Sequence, residues 1–370
     1  MNILALDPWM GGSHSQLLEA WAAASQHSVE FLGLPPRHWK WRMSAGAWAL
    51  ARRIRKEAVP MPDALWVSDF VDLPQLRGFL PAEWAKVPVF LYFHENQLTY
   101  PRSKDAPFQG DNGPAWAQML SCLAADGIAF NSTFHLEEFR SATAELLKTL
   151  PKPKPTLELR EALSRATAIY PGIETARFPV GPGPDSGEPL RIAFNHRWEY
   201  DKGPLDWLRT AAEAISNGAR LQLVLLGERS QDPGSEYESL LEELAGHTLV
   251  RGHLPSREDY ARALGSCDLV ASCAIHEFYG MALLEAISSG CTPLAPNALA
   301  YPEVLAGADL PLPLYDSPAE RLESLMAAAK DPGAFRSNAH RAGMHSLALP
   351  HEQTNTFRRL DAAMEALIRA

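Results

Sequence analysis

Short apolar runs recur along the chain, separated by longer stretches in which apolar residues return every three or four positions. The runs fit strands buried on both faces and the stretches fit amphipathic helices, so the alternation predicts parallel sheets with helices on both sides. In the first half, strands are expected at Asn2–Leu6, Val29–Leu32, Ala64–Val67, Val89–Phe93, Gly127–Phe130 and Ala168–Tyr170. Helices are expected from Ser13, over Ala45–Glu57, over Pro114–Ala125 and over Ser132–Leu150, with Pro151–Pro155 as a loop. Residues 171–189 are crowded with proline and glycine, the composition of a linker. A second series follows, with strands at Arg191–Phe194, Leu221–Leu226, Leu249–Arg251, Leu269–Ala271 and Thr292–Leu294, and a last helix over Glu352–Ile368. The expected division is a first Rossmann-like domain over 1–174, a linker over 175–189, a second domain over 190–348, and a C-terminal helix over 349–370 that can cross back.

A chain of 370 residues is long enough for two such domains. It has no run of eighteen apolar residues, so no transmembrane helix is expected. No basic-then-apolar leader precedes the first strand, and a cytoplasmic protein is expected. Cys122, Cys267, Cys273 and Cys291 form no Cys-x-x-Cys pair, which favours buried free thiols over zinc or disulfides. A net charge of −10 argues against unspecific polyanion binding. Yet no acid lies between Glu30 and Glu57, a window that holds Arg37, Lys40, Arg42, Arg52, Arg53, Arg55 and Lys56 with Trp39, Trp41 and Trp48 interleaved. Two readings fit it: phosphate contacts with tryptophans stacking on unpaired bases, or a solvated basic helix face with the tryptophans in the core.

The candidate chemistry falls where strands end. After the first strand, Gly11-Gly12-Ser13-His14 offers glycines for close backbone approach and a helix N-terminus for an anion, with Ser13 and Gln16 reading as a capping box. It is not a G-x-G-x-x-G fingerprint. His94-Glu95-Asn96-Gln97 is too polar for a core and unusually rich for a surface turn, and His94 could serve a sugar hydroxyl or the reacting centre. Asn131-Ser132 is similarly placed.

In the second half, Arg197 and Lys202 can converge on a diphosphate. A departing diphosphate gains negative charge, so fixed cations stabilise the transition state more than the ground state. The alternative is a surface ion-pair cluster with Glu199 and Asp201. Glu277 and Glu285 lie seven residues apart, one in a loop and one in the next helix, with Phe278 and Gly280 between them. Carboxylates there suit sugar or ribose hydroxyls; otherwise they cap and solvate an ordinary βα unit. Gly227-Glu228 and Gly252 end two further strands, where a nucleotide base could lie. There is no Asp-x-Asp motif and no P-loop, so no metal is expected and neutralisation falls to Arg and Lys.

Together Gly11-Gly12, Arg197, Lys202, Glu277-Phe-Tyr-Gly280 and Glu285 resemble the retaining, metal-independent glycosyltransferases of the GT-B fold in glycosyltransferase family 4. Gly11–His14, Tyr92–Leu98 with Tyr100-Pro101, His196–Glu199 with Asp201-Lys202, Pro35–Arg42 and Leu254–Ser256 resemble, more narrowly, the tRNA-queuosine α-mannosyltransferases. The resemblance implies an α/β GT-B architecture, two Rossmann-like doubly wound domains facing a cleft. It implies same-face transfer of mannose, with retention, from GDP-mannose to the cyclopentenediol of queuosine in tRNA-Asp, with no metal or other cofactor. Arg197 and Lys202 would hold the diphosphate, Glu285 the ribose and Glu277 the sugar, with His94 beside the anomeric centre. Gly11, Gly12, Gly227, Glu228, Gly252, Phe278 and Gly280 would complete the donor site, and the basic window would take tRNA. Replacing Lys202 by Ala should then cut turnover with the fold intact. Competing readings are a family 4 transferase with a polysaccharide or lipid acceptor, a nucleotide-sugar epimerase, and a non-catalytic tRNA-binding protein.

Overall fold

The computed structural model describes residues 1–101, 112–228, 235–308 and 310–369. The chain divides into two units, Met1–Pro171 with Thr354–Ala370, and Gly172–Gln353. The first unit holds β1 (Asn2–Asp7), β2 (Ser28–Gly33), β3 (Ala64–Ser68), β4 (Val89–Phe93), β5 (Gly127–Phe130) and β6 (Thr167–Ala168). They form one parallel sheet in the order β2-β1-β3-β4-β5-β6. The second unit holds β7 (Leu190–Phe194), β8 (Leu221–Leu226), β9 (Thr248–Gly252), β10 (Leu269–Ala271) and β11 (Thr292–Leu294), a parallel sheet in the order β11-β10-β7-β8-β9.

Every expected strand forms, the sixth as Thr167–Ala168 rather than Ala168–Tyr170. β3 and β4 are buried throughout, which is why they read as nearly continuous apolar runs. Each sheet starts in its interior and winds outward twice: β1 has β2 on one side and β3 on the other, and β7 has β8 and β10. The carboxyl ends beside β1 and β7 are therefore topological switch points, where open α/β sheets leave room for ligands.

The helix Trp39–Lys56 packs Met43, Ala47, Leu50, Ala51 and Ile54 inward, one amphipathic stripe. It starts at Trp39 rather than Ala45. Gly46 does not interrupt it, because a Cβ there would come 2.6 Å from Pro8 and the glycine is needed for close packing. An unexpected helix, Thr156–Ser164, follows the proline loop and buries Leu159, Ala162 and Leu163. The segment 175–189 is not a free linker. Gly181 N donates to Ser289 O and Gly183 N to Gly265 O, and the buried Arg341 guanidinium donates to the carbonyls of Gly181, Gly265, Cys267 and Ser289. All four cysteines are free and buried. No helix among the described residues is long and apolar enough to cross a membrane.

The last helix, Gln353–Arg369, completes the first unit. Phe357, Leu360 and Met364 join Trp21, Trp66 and Tyr92 in one core. Buried Asp361 accepts from Trp21 Nε1 (2.8 Å), Ser25 Oγ (2.6 Å) and Gln26 N (3.1 Å). Asp361→Ala should strip these donors of their partner and destabilise the first unit by about 1–3 kcal/mol, the cost of an unsatisfied buried group. The check is a lowered urea midpoint at unchanged slope; an unchanged midpoint would mean that the apolar contacts alone hold the helix.

Candidate functional site

At the first switch point Asp7 ends β1. Its carboxylate accepts from Trp9 N (2.8 Å) and bonds His14 Nδ1 (2.8 Å). Gly12 takes φ 57° as the residue before the helix Ser13–Ala24, and Ser13 lies inside that helix, so the Ser13–Gln16 capping box does not form. Gly11 serves packing: a Cβ would come 2.6 Å from Pro36. His14 stacks on His94, ring centroids 3.8 Å apart and planes inclined by 24°. His94 follows β4, is buried, donates its backbone N–H to Asp69 Oδ1 (2.9 Å) and accepts at its carbonyl from Asn131 Nδ2 (2.8 Å). Its Nε2 has no hydrogen-bond partner among the described residues.

The rest of the polar run builds the turn. Asn96 is fully buried, and its Oδ1 accepts from Leu98 N, Thr99 N and Thr99 Oγ1, so a run that reads as too polar for a core is partly core. Ser132 caps the helix Thr133–Thr149 by accepting from His135 N.

Burial opposes charge on His14, but the Asp7 carboxylate, with Asp69 and Glu95 behind it, overrides burial and raises its pKa to about 9. Burial, then the charges of His14 and His135, hold His94 well below the usual imidazole value. The two adjacent imidazoles are thus pushed in opposite directions.

Asp7, His14 and His94 each offer a ligand atom within 4.8 Å of the others, the one such group among the described residues. An imidazole holds a metal in its own ring plane. Rings stacked face to face do not direct two in-plane nitrogens at one ion, and His14 Nδ1 is already taken by Asp7. This arrangement fits a hydrogen-bonded stack rather than a metal centre.

At the second switch point the loop after β7 carries Asn195 to Lys202. Lys202 Nζ donates to His276 O (2.8 Å) and Glu277 Oε2 (3.2 Å) and lies 3.4 Å from Asp201 Oδ2. Its side chain is 11% exposed and that of Glu277 17%, so the pair is largely desolvated. Burial disfavours both charges, yet each sustains the other: Lys202 is raised, and Glu277 is brought down to about 2, chiefly by Lys202 with help from the Tyr279 N–H. Arg197 stands 60% exposed beside Glu199 (3.3 Å). Its charge opposes that of Lys202, a repulsion that a bound dianion would relieve.

Glu285, in the helix Met281–Ser288, sits in a network that sequence reasoning missed. Asn195 Nδ2 donates to Tyr260 Oη (2.9 Å), Tyr260 Oη donates to Glu285 Oε2 (2.9 Å), and Arg257 lies 3.5 Å from Glu285 Oε1. Burial raises the Glu285 pKa against the pull of Arg257 and Tyr260.

Gly280 precedes that helix at φ 96°, and Phe278 packs against the edge of His276. Gly227 has φ 115°, and a Cβ would come 2.1 Å from His196 O, so glycine is required there for backbone approach within the protein. Glu228, after β8, is exposed, and its carbonyl accepts from Trp198 N. Gly252 ends β9, two strands from β7.

In the basic window the tryptophans are not core. Trp39, Trp41 and Trp48 are exposed, at 39%, 63% and 50%. Trp41, Trp48, Arg52 and Arg55 succeed one another along the exposed face of their helix. Lys40 lies over Trp39 and Arg52 over Trp48. Three of the arginines also anchor the helix: Arg42 donates to Pro35 O, Arg53 to Gly33 O and Glu57, and Arg55 to Phe79 O. Arg37, Lys40, Arg52 and Lys56 are exposed.

Residues 2–173 match the family described as "tRNA-queuosine alpha-mannosyltransferase N-terminal", and residues 183–341 match "Glycosyl transferases group 1". Over 313 residues, 82% of this chain and 81% of the relative, the sequence is 34% identical to a tRNA-queuosine alpha-mannosyltransferase of Drosophila melanogaster. Among solved structures, sucrose-phosphate synthase from Thermosynechococcus elongatus is similar with a TM-score of 0.71 at 14% identity, covering 100% of both chains. Anabaena HepE in complex with UDP and glucose is similar with a TM-score of 0.67 at 14% identity, covering 99% of both. The fold is GT-B.

The buried Lys202–Glu277 pair changes what Lys202→Ala should do. Removing one partner of such a pair leaves the other's charge uncompensated, at a cost of about 3–5 kcal/mol. The variant should lose stability as well as turnover. In urea denaturation, Lys202→Met with Glu277→Gln should recover much of what Lys202→Met loses; a double variant as unstable as the sum of the singles would refute the coupling.

Proposed function

We infer the reaction from one premise: the chain belongs to the tRNA-queuosine alpha-mannosyltransferase family and is a glycosyltransferase. On that premise it transfers mannose from GDP-mannose to the cyclopentenediol of queuosine in tRNA-Asp, with retention and without a divalent ion. The observation that carries this reading is the charge arrangement after β7 and β10. Lys202 is held cationic in a largely buried position, with Arg197 in the same loop.

As the sugar–phosphate bond breaks, its electron pair passes to the leaving diphosphate. Cations already fixed there stabilise that charge without reorganising. The acceptor hydroxyl attacks the anomeric carbon on the face the diphosphate leaves, and its proton passes to a diphosphate oxygen. The state between is oxocarbenium-like, as in glycoside hydrolysis. In this reading Glu277 contacts the sugar, Glu285 accepts from ribose hydroxyls, and His94 serves the reacting hydroxyls. The acceptor RNA is read by the helix Trp39–Lys56, whose exposed cations and tryptophans suit phosphates and unpaired bases.

The reaction is tested by nucleoside mass spectrometry of queuosine-containing tRNA incubated with the protein and, separately, GDP-mannose, UDP-glucose or UDP-galactose, each with and without EDTA. A hexose on queuosine from GDP-mannose alone, undiminished by EDTA, is expected. Transfer from a UDP-sugar would overturn the donor, and loss with EDTA the metal independence. No product with any donor, from protein that still binds GDP, would move the acceptor to a polysaccharide or lipid.

The RNA surface is tested separately. Arg52→Glu with Lys56→Glu should weaken tRNA binding and flatten its salt dependence, and Trp41→Ala should cost roughly 1–3 kcal/mol if a base stacks there. GDP affinity should not change. Arg53 and Arg55 stay untouched because they hold the helix in place. Unchanged tRNA affinity in both variants would move the RNA to another surface.

A further inference from the structure

Asp7 and His14 stand at the first switch point without a part in the reaction as derived so far. Both are buried. Their geometry is that of a support. Asp7 Oδ1 is fixed by Trp9 N and its Oδ2 by His14 Nδ1, each at 2.8 Å. The other side of the support is His94, in face contact with His14 at 3.8 Å and enclosed by the rings of Trp66 and Tyr92. The His94 backbone is clamped at both ends, by Asp69 at its N–H and Asn131 at its carbonyl. Within that clamp His94 Nε2 is buried and has no hydrogen-bond partner among the described residues.

We propose that His14 is a positioning residue for His94: bonded by Asp7 and stacked on the His94 ring, it fixes that ring and makes His94 meet a substrate hydroxyl as a neutral imidazole. The substrate hydroxyl rests on the transferase reading; the support does not. Two imidazolium ions in face contact repel each other in a site too buried for water to screen them. One proton is therefore allotted between two rings, and the carboxylates decide where it goes. Asp7, Asp69 and Glu95 face His14 and favour its cation. His94 feels the charges of His14 and of His135, from the helix Thr133–Thr149, and both disfavour a second cation. A neutral imidazole keeps one ring nitrogen as an acceptor and the other as a donor, which the cation would lose. It also adds no positive charge beside an oxocarbenium-like centre.

The test uses the full-length protein with ring-15N histidine, titrated by NMR with no substrate present, and two variants. His14→Phe keeps the stack and removes the charge. Asp7→Asn keeps the volume and a hydrogen bond while removing the carboxylate that holds the proton on His14. In the natural protein His14 should stay cationic through neutral pH and His94 neutral. In His14→Phe the His94 midpoint should rise by about one pH unit. In Asp7→Asn the His14 cation should be lost near neutrality, with the His94 midpoint rising as it does in His14→Phe. The acid limb of the kcat profile should move up with the His94 midpoint, with kcat on the neutral plateau and the donor KM little changed. A His94 midpoint that stays put in both variants would overturn the proposal, and so would a loss of turnover with His94 unmoved, since His14 would then be structural only. If one variant fails to fold, the other still reads the His94 ring directly. If no sugar is transferred at all, the titration still decides the allotment of the proton.

Discussion

Everything distinctive in this molecule depends on each sheet being wound outward from an interior strand. Parallel pairing sends every strand's carboxyl end to one edge, and the reversal beside β1 and β7 leaves that edge open at one place in each unit. Asp7 ends β1 and His14 lies beyond it, Asp69 follows β3, and His94 follows β4. In the other unit Asn195 to Lys202 follow β7, and His276-Glu277 follow β10. Residues far apart in sequence meet because they share this position in the winding. The sheets are also what makes buried charge tolerable: stiff, fully paired strands hold each group where a partner offsets its lost hydration.

The sequence carries most of the fold because the same physics writes it. Inner strands covered on both faces are apolar at nearly every position, so β3, β4, β7 and β8 read directly. The helix start at Trp39 was illegible because its first turn is exposed and lacks the apolar stripe that begins at Met43. The docking of residues 175–189 was illegible for a different reason. Proline and glycine suit a mobile linker and a tightly docked strap equally well, and the carbonyl clamp that docks this one comes from Arg341, distant in sequence.

The candidate site was legible residue by residue but not as a geometry. Arg197, Lys202, Glu277 and His94 could be named from their place after strands. That Lys202 would be sequestered by Glu277 while Arg197 stands exposed follows from three-dimensional packing alone. Tyr260 carried no signal, since its link to Glu285 and Asn195 joins three separate βα units. Asp7 had a faint one: a carboxylate closing an otherwise apolar strand, seven residues before a histidine, needs a buried partner. The tryptophans could not be resolved by composition at all, because a Trp is as ordinary in a core as on an RNA platform, and only burial separates the two.

The two switch points share one electrostatic logic. Each sets a cation, held by a neighbouring acid, beside an imidazole kept neutral. His14 with Asp7 stands beside His94, and Lys202 with Glu277 stands by His196, which burial holds at about 4. The carboxylates diverge in the same way. Glu277 is drawn down by its lysine, whereas Glu285 and Asp69, where burial outweighs the opposing charges, are pushed up. Identical side chains therefore do different work according to what stands next to them. A diphosphate needs fixed positive charge that does not have to be recruited as it leaves. A carbon that becomes cationic needs hydrogen-bonding partners that are not themselves cations. In the reaction proposed above, confining each charge to a group with its own acid and leaving the adjacent imidazole neutral serves both demands.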